Sequence, residues 1–138
     1  MEQSPKNLGH QPLVSVNDYD KVDGKCKGSD AKALSIGRAQ WDVNELSLKV
    51  WRHGSKRWSP QSEELPLHRN LDLTILLLHV LFDEEPNPDS FLVSSKSQVE
   101  ENISGGIKKV RDYYNDPANK KYLEPRLKEI RQLLDKMK

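Results

Sequence analysis

Residues 46–82, LSLKVWRHGSKRWSPQSEELPLHRNLDLTILLLHVLF, decide how this chain is read. From Leu46 to Arg52 the side chains alternate, with Leu46, Leu48 and Val50 on one face and Ser47, Lys49 and Trp51 on the other. That is the period of a half-buried strand. His53-Gly54-Ser55-Lys56 follows, and Gly at the first central position suits a two-residue type II′ turn. Such a turn sets Arg52 opposite Arg57 and Trp51 opposite Trp58. Opposed residues share a face, so the indoles stack across the strands, an arrangement worth about 0.5–1.5 kcal/mol beyond their area burial. From Leu71 to Phe82 the chain is apolar but for Asp72, Thr74 and His79. The run is too short for a membrane span, its leucines favour a helix, and apolar character nearly all round predicts a buried one. Pro66 is expected in its first turn, and Pro86 and Pro88 stop it.

Working outward, the chain holds 138 residues, 31% of them charged and nearly balanced, for a formal net charge of +1. This fits one domain over residues 1–138 with a real core, and it gives no bulk electrostatic pull toward nucleic acid or an acidic partner. A lone cysteine, Cys26, excludes an internal disulfide framework and fits a reducing compartment. Its lysine neighbours favour the thiolate, but a surface cysteine without a role is the plain expectation. The first residues carry no secretory signal pattern, so a soluble cytoplasmic protein is expected, with residues 1–11 frayed.

Pro12 to Val16 reads as a short edge strand. Asp18, Asp20 and Asp23-Gly24 resemble a calcium loop but miss its spacing, and position twelve from Asp18 is Ser29. Ala33 to Trp41 reads as a further strand. With a three-residue loop at Asp42-Val43-Asn44, Leu34 and Ile36 extend the apolar face of Leu46, Leu48 and Val50. Ala33, Ser35, Gly37 and Ala39 then line the other face and leave room for a close neighbour. After an acidic, proline-punctuated linker at residues 83–89, Ser94 to Asn115 has helical spacing, broken at Ser104-Gly105-Gly106, where two glycines cost about 2 kcal/mol against alanine. A last helix carries Leu123, Leu127, Ile130, Leu134 and Met137 on one stripe, with Glu124 and Lys128 paired at its surface and Pro125 expected in its first turn.

Two constellations could carry chemistry. Lys49, Trp51, Lys56 and Trp58 share a face of the expected hairpin, and aromatics among cations can stack single-stranded nucleic acid. Cross-strand tryptophans more often cover a core, so nucleic acid is not the expected partner. The second constellation is Arg57, Trp58, Glu63, Glu64, His68, Arg69 and Asp72, a charged ligand site between hairpin and helix. His68 and Asp72 at i,i+4 could orient a base or share a metal, yet zinc needs three or four ligands at recognisable spacing. Paired charges are the ordinary alternative. No catalytic residue, metal or cofactor is assigned, since neither a nucleotide-binding loop, a nucleophile elbow nor a paired CxxC occurs.

Asp30-Ala31-Lys32-Ala33-Leu34-Ser35-Ile36-Gly37, Gln40-Trp41, Lys49-Val50-Trp51-Arg52 and the run from Arg57 to Arg69 resemble a family of small uncharacterised bacterial proteins known only as a domain of unknown function. The resemblance spans residues 12–82 and implies no activity. The fold expected is α+β: a small antiparallel sheet of three to four strands packed on a central buried helix, followed by two or more helices. The function expected is a non-enzymatic interaction or regulatory module, with a protein partner or a homodimer through the C-terminal helix and no membrane. A charged small-ligand site and weak single-stranded nucleic-acid binding are its rivals.

Overall fold

The computed structural model describes residues 9–24, 28–53, 63–83, 90, 92 and 100–138. Four strands form one antiparallel sheet in the order β1-β2-β3-β4. They are β1 (Gln11–Asn17), β2 (Ala31–Arg38), β3 (Leu46–Arg52) and β4 (Glu64–Pro66), followed by helices α1 (Leu67–Phe82), α2 (Gly106–Asn115) and α3 (Pro117–Leu134). The arrangement is α+β. It divides into two compact units, Met1–Leu71 and Asp72–Lys138, each described here by itself.

In the sheet unit, β3 has the bounds that alternation predicts. Ala33 lies opposite Trp51, Leu34 opposite Val50 and Ile36 opposite Leu48. The ladder closes with the Ala39 N–H donating to Glu45 O, so the connection runs from Gln40 to Asn44. It is two residues longer than the expected loop. Adding two residues keeps the parity of a period-two strand, and both faces come out as read. β1 is the edge strand, and its register shifts between Pro12 and Val14, leaving Leu13 as a bulge. Pro66 ends β4 rather than lying within the first turn of α1. The hairpin turn at Gly54-Ser55 and the Trp51–Trp58 pair fall in residues 54–62, outside the described residues.

The closed face of this sheet is not the aliphatic one. Ala31, Ala33, Ser35, Gly37 and Ala39 are buried, as are Ser47 and Trp51 across from them. The face carrying Val14, Val16, Leu34, Ile36, Leu46, Leu48 and Val50 is only half covered, and Val14 is 63% exposed. Small side chains on the closed face admit two large rings, the indole of Trp51 and the imidazole of His10, both fully buried and set edge to face with centroids 5.8 Å apart.

In the helical unit, α1 is less enclosed than its composition predicts. None of its residues is buried, and Leu73 and Phe82 are 53% and 58% exposed. A helix apolar on every side needs neighbours on every side, whereas α2 is ten residues long. What joins them is specific. Arg111 of α2 donates from Nε to Val80 O at 2.7 Å and from Nη2 to Asp83 O at 3.2 Å, satisfying carbonyls that the end of a helix leaves free. Phe82 meets the buried Tyr114 edge to face.

The helix expected from Ser94 starts only at the glycine pair: residues 100–105 are not helical, Gly105 adopts φ +72° and Gly106 opens α2, while residues 94–99 lie outside the described residues. Ile103 therefore lies before α2. α3 starts earlier than its leucine stripe suggests, because Asp116 caps it by accepting the Ala118 N–H and Pro117 takes the first turn. This corrects Pro125, which sits inside the helix. The Glu124–Lys128 pair forms at 3.3 Å.

A Cβ on Gly37 would press on the Gln11 carbonyl oxygen and lie 2.8 Å from His10 Nε2. Gly37→Ala is expected to destabilise the fold by about 2–3 kcal/mol in denaturant unfolding, the scale of a core overpacking change. Gly105→Ala, with open space around its Cβ position, is expected to cost about 1 kcal/mol through its left-handed backbone alone.

Candidate functional site

Beneath the closed face, one polar cluster joins β2, β3, β4 and the residue before β1. Trp51 Nε1 donates to Ser35 Oγ at 2.8 Å. Ser35 Oγ lies 2.9 Å from His10 Nε2. On the far side of the ring, His10 Nδ1 is 2.7 Å from Ser47 Oγ and 3.3 Å from Glu64 Oε2. Ser47 Oγ donates to Glu64 Oε2 at 2.8 Å, and the Gln40 backbone N–H adds a donor at 3.0 Å. Lys49 Nζ stands 3.9 Å from Glu64 Oε1 and 4.2 Å above the Trp51 ring.

These contacts assign the imidazole tautomer. Glu64 can only accept, and Ser47 spends its hydroxyl hydrogen on it, so Nδ1 donates; Nε2 of the neutral ring then accepts from Ser35, which itself accepts the indole N–H. The ring is then neutral with its proton on Nδ1, donating toward Ser47, which in turn donates to Glu64. Every link runs in one direction, from an indole that can only give to a carboxylate that can only receive. Burial pushes the His10 pKa below its ordinary value, against the pull of Glu64. Burial lowers the Lys49 pKa as well. For Glu64, burial acts upward but is outweighed by the Gln40 N–H, the Ser47 hydroxyl and the charges nearby, so its pKa lies below the usual carboxylate range.

Ser35, His10 and Glu64 have the connectivity of a nucleophile, a base and its orienting acid. The chemistry stops at Ser35. Its hydroxyl is held by the indole N–H and the imidazole at once, and the residue is 5% exposed. A network in which each buried donor has an acceptor is a device for fixing one packing of the sheet.

Among the described residues of the charged constellation, Glu64 alone enters this cluster, where it meets Trp51 and Lys49 of the other constellation. Glu63 is exposed and takes a two-pronged grip from Arg52, Nη2 to Oε1 at 2.6 Å and Nε to Oε2 at 3.2 Å, while Arg52 Nη1 reaches Asp30 at 2.6 Å. His68 and Arg69 are exposed in the first turn of α1, and Asp72 is half-buried farther along it. Among the described residues no ion pair links either to Asp72. Lys49 and Trp51 are enclosed, and an indole with no exposure offers no stacking face to a base. Lys56, Arg57 and Trp58 lie outside the described residues. Sequence reasoning missed His10, Ser35 and Ser47. The available signal was two serines on the same small-residue face as a tryptophan, a face that asks for a buried polar partner.

Two open apolar surfaces occur among the described residues, one in each unit. In the sheet unit a groove of about 400 Å³ follows the aliphatic face past Val14, Val16, Leu34, Ile36, Leu48 and Val50, with Glu63 and Asn70 at its border. In the helical unit a groove of about 660 Å³ is lined by Leu73, Leu76, Leu77 and Val80 of α1 and by Ile107 and Val110 of α2. No helix among the described residues is long and apolar enough to cross a membrane.

A family model, the family of unknown function DUF6530, matches residues 1–86, which take in the whole sheet and all of α1. The chain belongs to this family. α2 and α3 lie beyond the matched residues. No curated protein and no solved structure matches the chain.

The cluster makes a pH prediction. His10 has a folded pKa below its unfolded value, so between the two the unfolded chain binds more protons and stability falls as pH falls. Denaturation midpoints are expected to decline on acidification below about 6.5, with a second decline as Glu64, also depressed, takes a proton. His10→Gln should flatten the first decline. Ser35→Ala removes the hydroxyl that Trp51 and His10 share and is expected to cost about 1–3 kcal/mol.

Proposed function

We propose that this chain is a non-enzymatic interaction module of the bacterial cytoplasm. One observation carries the reading: the sheet spends its polar side chains on a sealed cluster and leaves its aliphatic face open. Val14, Val16 and Ile36 are 63%, 54% and 41% exposed on one continuous surface. Contiguous apolar surface of that kind on a folded chain marks a place where another surface docks. A protein partner therefore meets the sheet through an apolar segment laid across Val14, Val16 and Ile36. The exposed stripe of α3 supplies a second route, self-association. The ligand-site alternative has less support, since among its described charged residues Glu63 alone borders the sheet groove and Arg52 already holds it.

The test places a photo-crosslinking residue at position 16 and, as a control, at the exposed polar position 42. A discrete adduct from position 16 alone is expected. The protein so identified should bind the purified chain at least tenfold more weakly after Ile36→Lys, with the unfolding midpoint unchanged. Equal labelling from both positions, or binding indifferent to Ile36→Lys, overturns the reading.

A further inference from the structure

The stripe along α3 divides in two. Leu123 and Leu127 are half-buried, whereas from Lys128 onward every residue is exposed, with Ile130 at 38%, Leu134 at 58% and Met137 at 78%. Helix length explains the division. α3 has 18 residues against ten in α2, so at about 1.5 Å per residue it is about 12 Å the longer. An apolar helical end without a partner gains nothing from its own amphipathicity, because helices draw most of their stability from packing one face. The same unit holds an apolar groove between α1 and α2 that is open among the described residues.

We infer that these two features are halves of one contact, and that the occupant of the groove is α3 of a second copy. This rests on the self-association route proposed above and names its receptor. Ile130, Leu134 and Met137 follow at three- and four-residue spacing, the pattern by which a helix lays an apolar edge into a groove. Leu73, Leu77 and Ile107 present the receiving surface. Charge agrees with the match. Arg131 and Glu129 flank the stripe on opposite sides, each about 100° round from Ile130, while the groove is bordered by Glu100 and Glu101 and by Lys109. The arrangement closes on itself: each chain offers one stripe and one groove, so two reciprocal contacts give a twofold dimer with no surface left to propagate. A foreign helix would use the groove but leave the stripe bare.

The experiment uses the full chain in a Cys26→Ser background at micromolar concentration. Sedimentation equilibrium is expected to show a dimer that Ile130→Asp with Leu134→Asp weakens at least tenfold, with helical circular dichroism retained because both positions are exposed. An equimolar mixture of Leu134→Cys chains and Leu77→Cys chains should, on mild oxidation, give the mixed disulfide as the main product. A dimer in which Leu134→Cys joins only its own counterpart, or nothing, overturns the assignment of the groove while leaving self-association standing. A monomer throughout overturns both.

Discussion

The sheet depends on a hydrogen-bond relay with a fixed polarity, Trp51 to Ser35 to His10 to Ser47 to Glu64. Its ends set its direction, since an indole has no acceptor and an ionised carboxylate no donor. Each member comes from a different place in the chain: the residue before β1, two positions on β3, one on β2 and one on β4. The relay therefore ties β2, β3, β4 and the residue leading into β1 through side chains as well as through the ladders. It also explains why the interior face is lined with alanine, serine and glycine. Bulkier residues at Ala33 or Gly37 would occupy the volume that the two rings fill.

This inverts a common division of labour. Sheets of this size usually turn their aliphatic face inward and leave small or polar residues to solvent. Here the inward face carries a partnered polar cluster, and the aliphatic face is the open one. A buried polar cluster contributes less net free energy than the same area of leucine, yet it admits fewer alternative packings. The chain thus fixes its fold with directional bonds and leaves much of its aliphatic face exposed.

Much of the architecture could be read from residues alone. β3 announced itself by strict alternation, and the sorting of β2 into an aliphatic and a small-residue face survived a wrong loop length, because an error of two residues preserves parity. That α2 does not run through Gly105-Gly106 followed from propensity. What could not be read came from contacts distant in sequence. His10 sits in a polar, glycine-flanked stretch, and nothing local ties it to Ser35 or Ser47. Glu64 was placed with His68 and Arg69 because they are near it in sequence; as the first residue of β4 it faces the sheet interior, while they stand on the helix beyond. Pro125 has the residue type of a helix start but lies inside α3, which begins at Asp116-Pro117.

The bulge at Leu13 bears on how the molecule behaves at high concentration. β1 bears no charged side chain to repel a neighbouring edge, and a flat strand of that composition would anneal readily to its like. The extra residue, together with the missing N–H of Pro12, interrupts the outer rim halfway along. Only Val14 to Asn17 keep the regular spacing that lateral growth into fibrils needs, so open-ended stacking is curtailed while a short, single-strand encounter remains permitted.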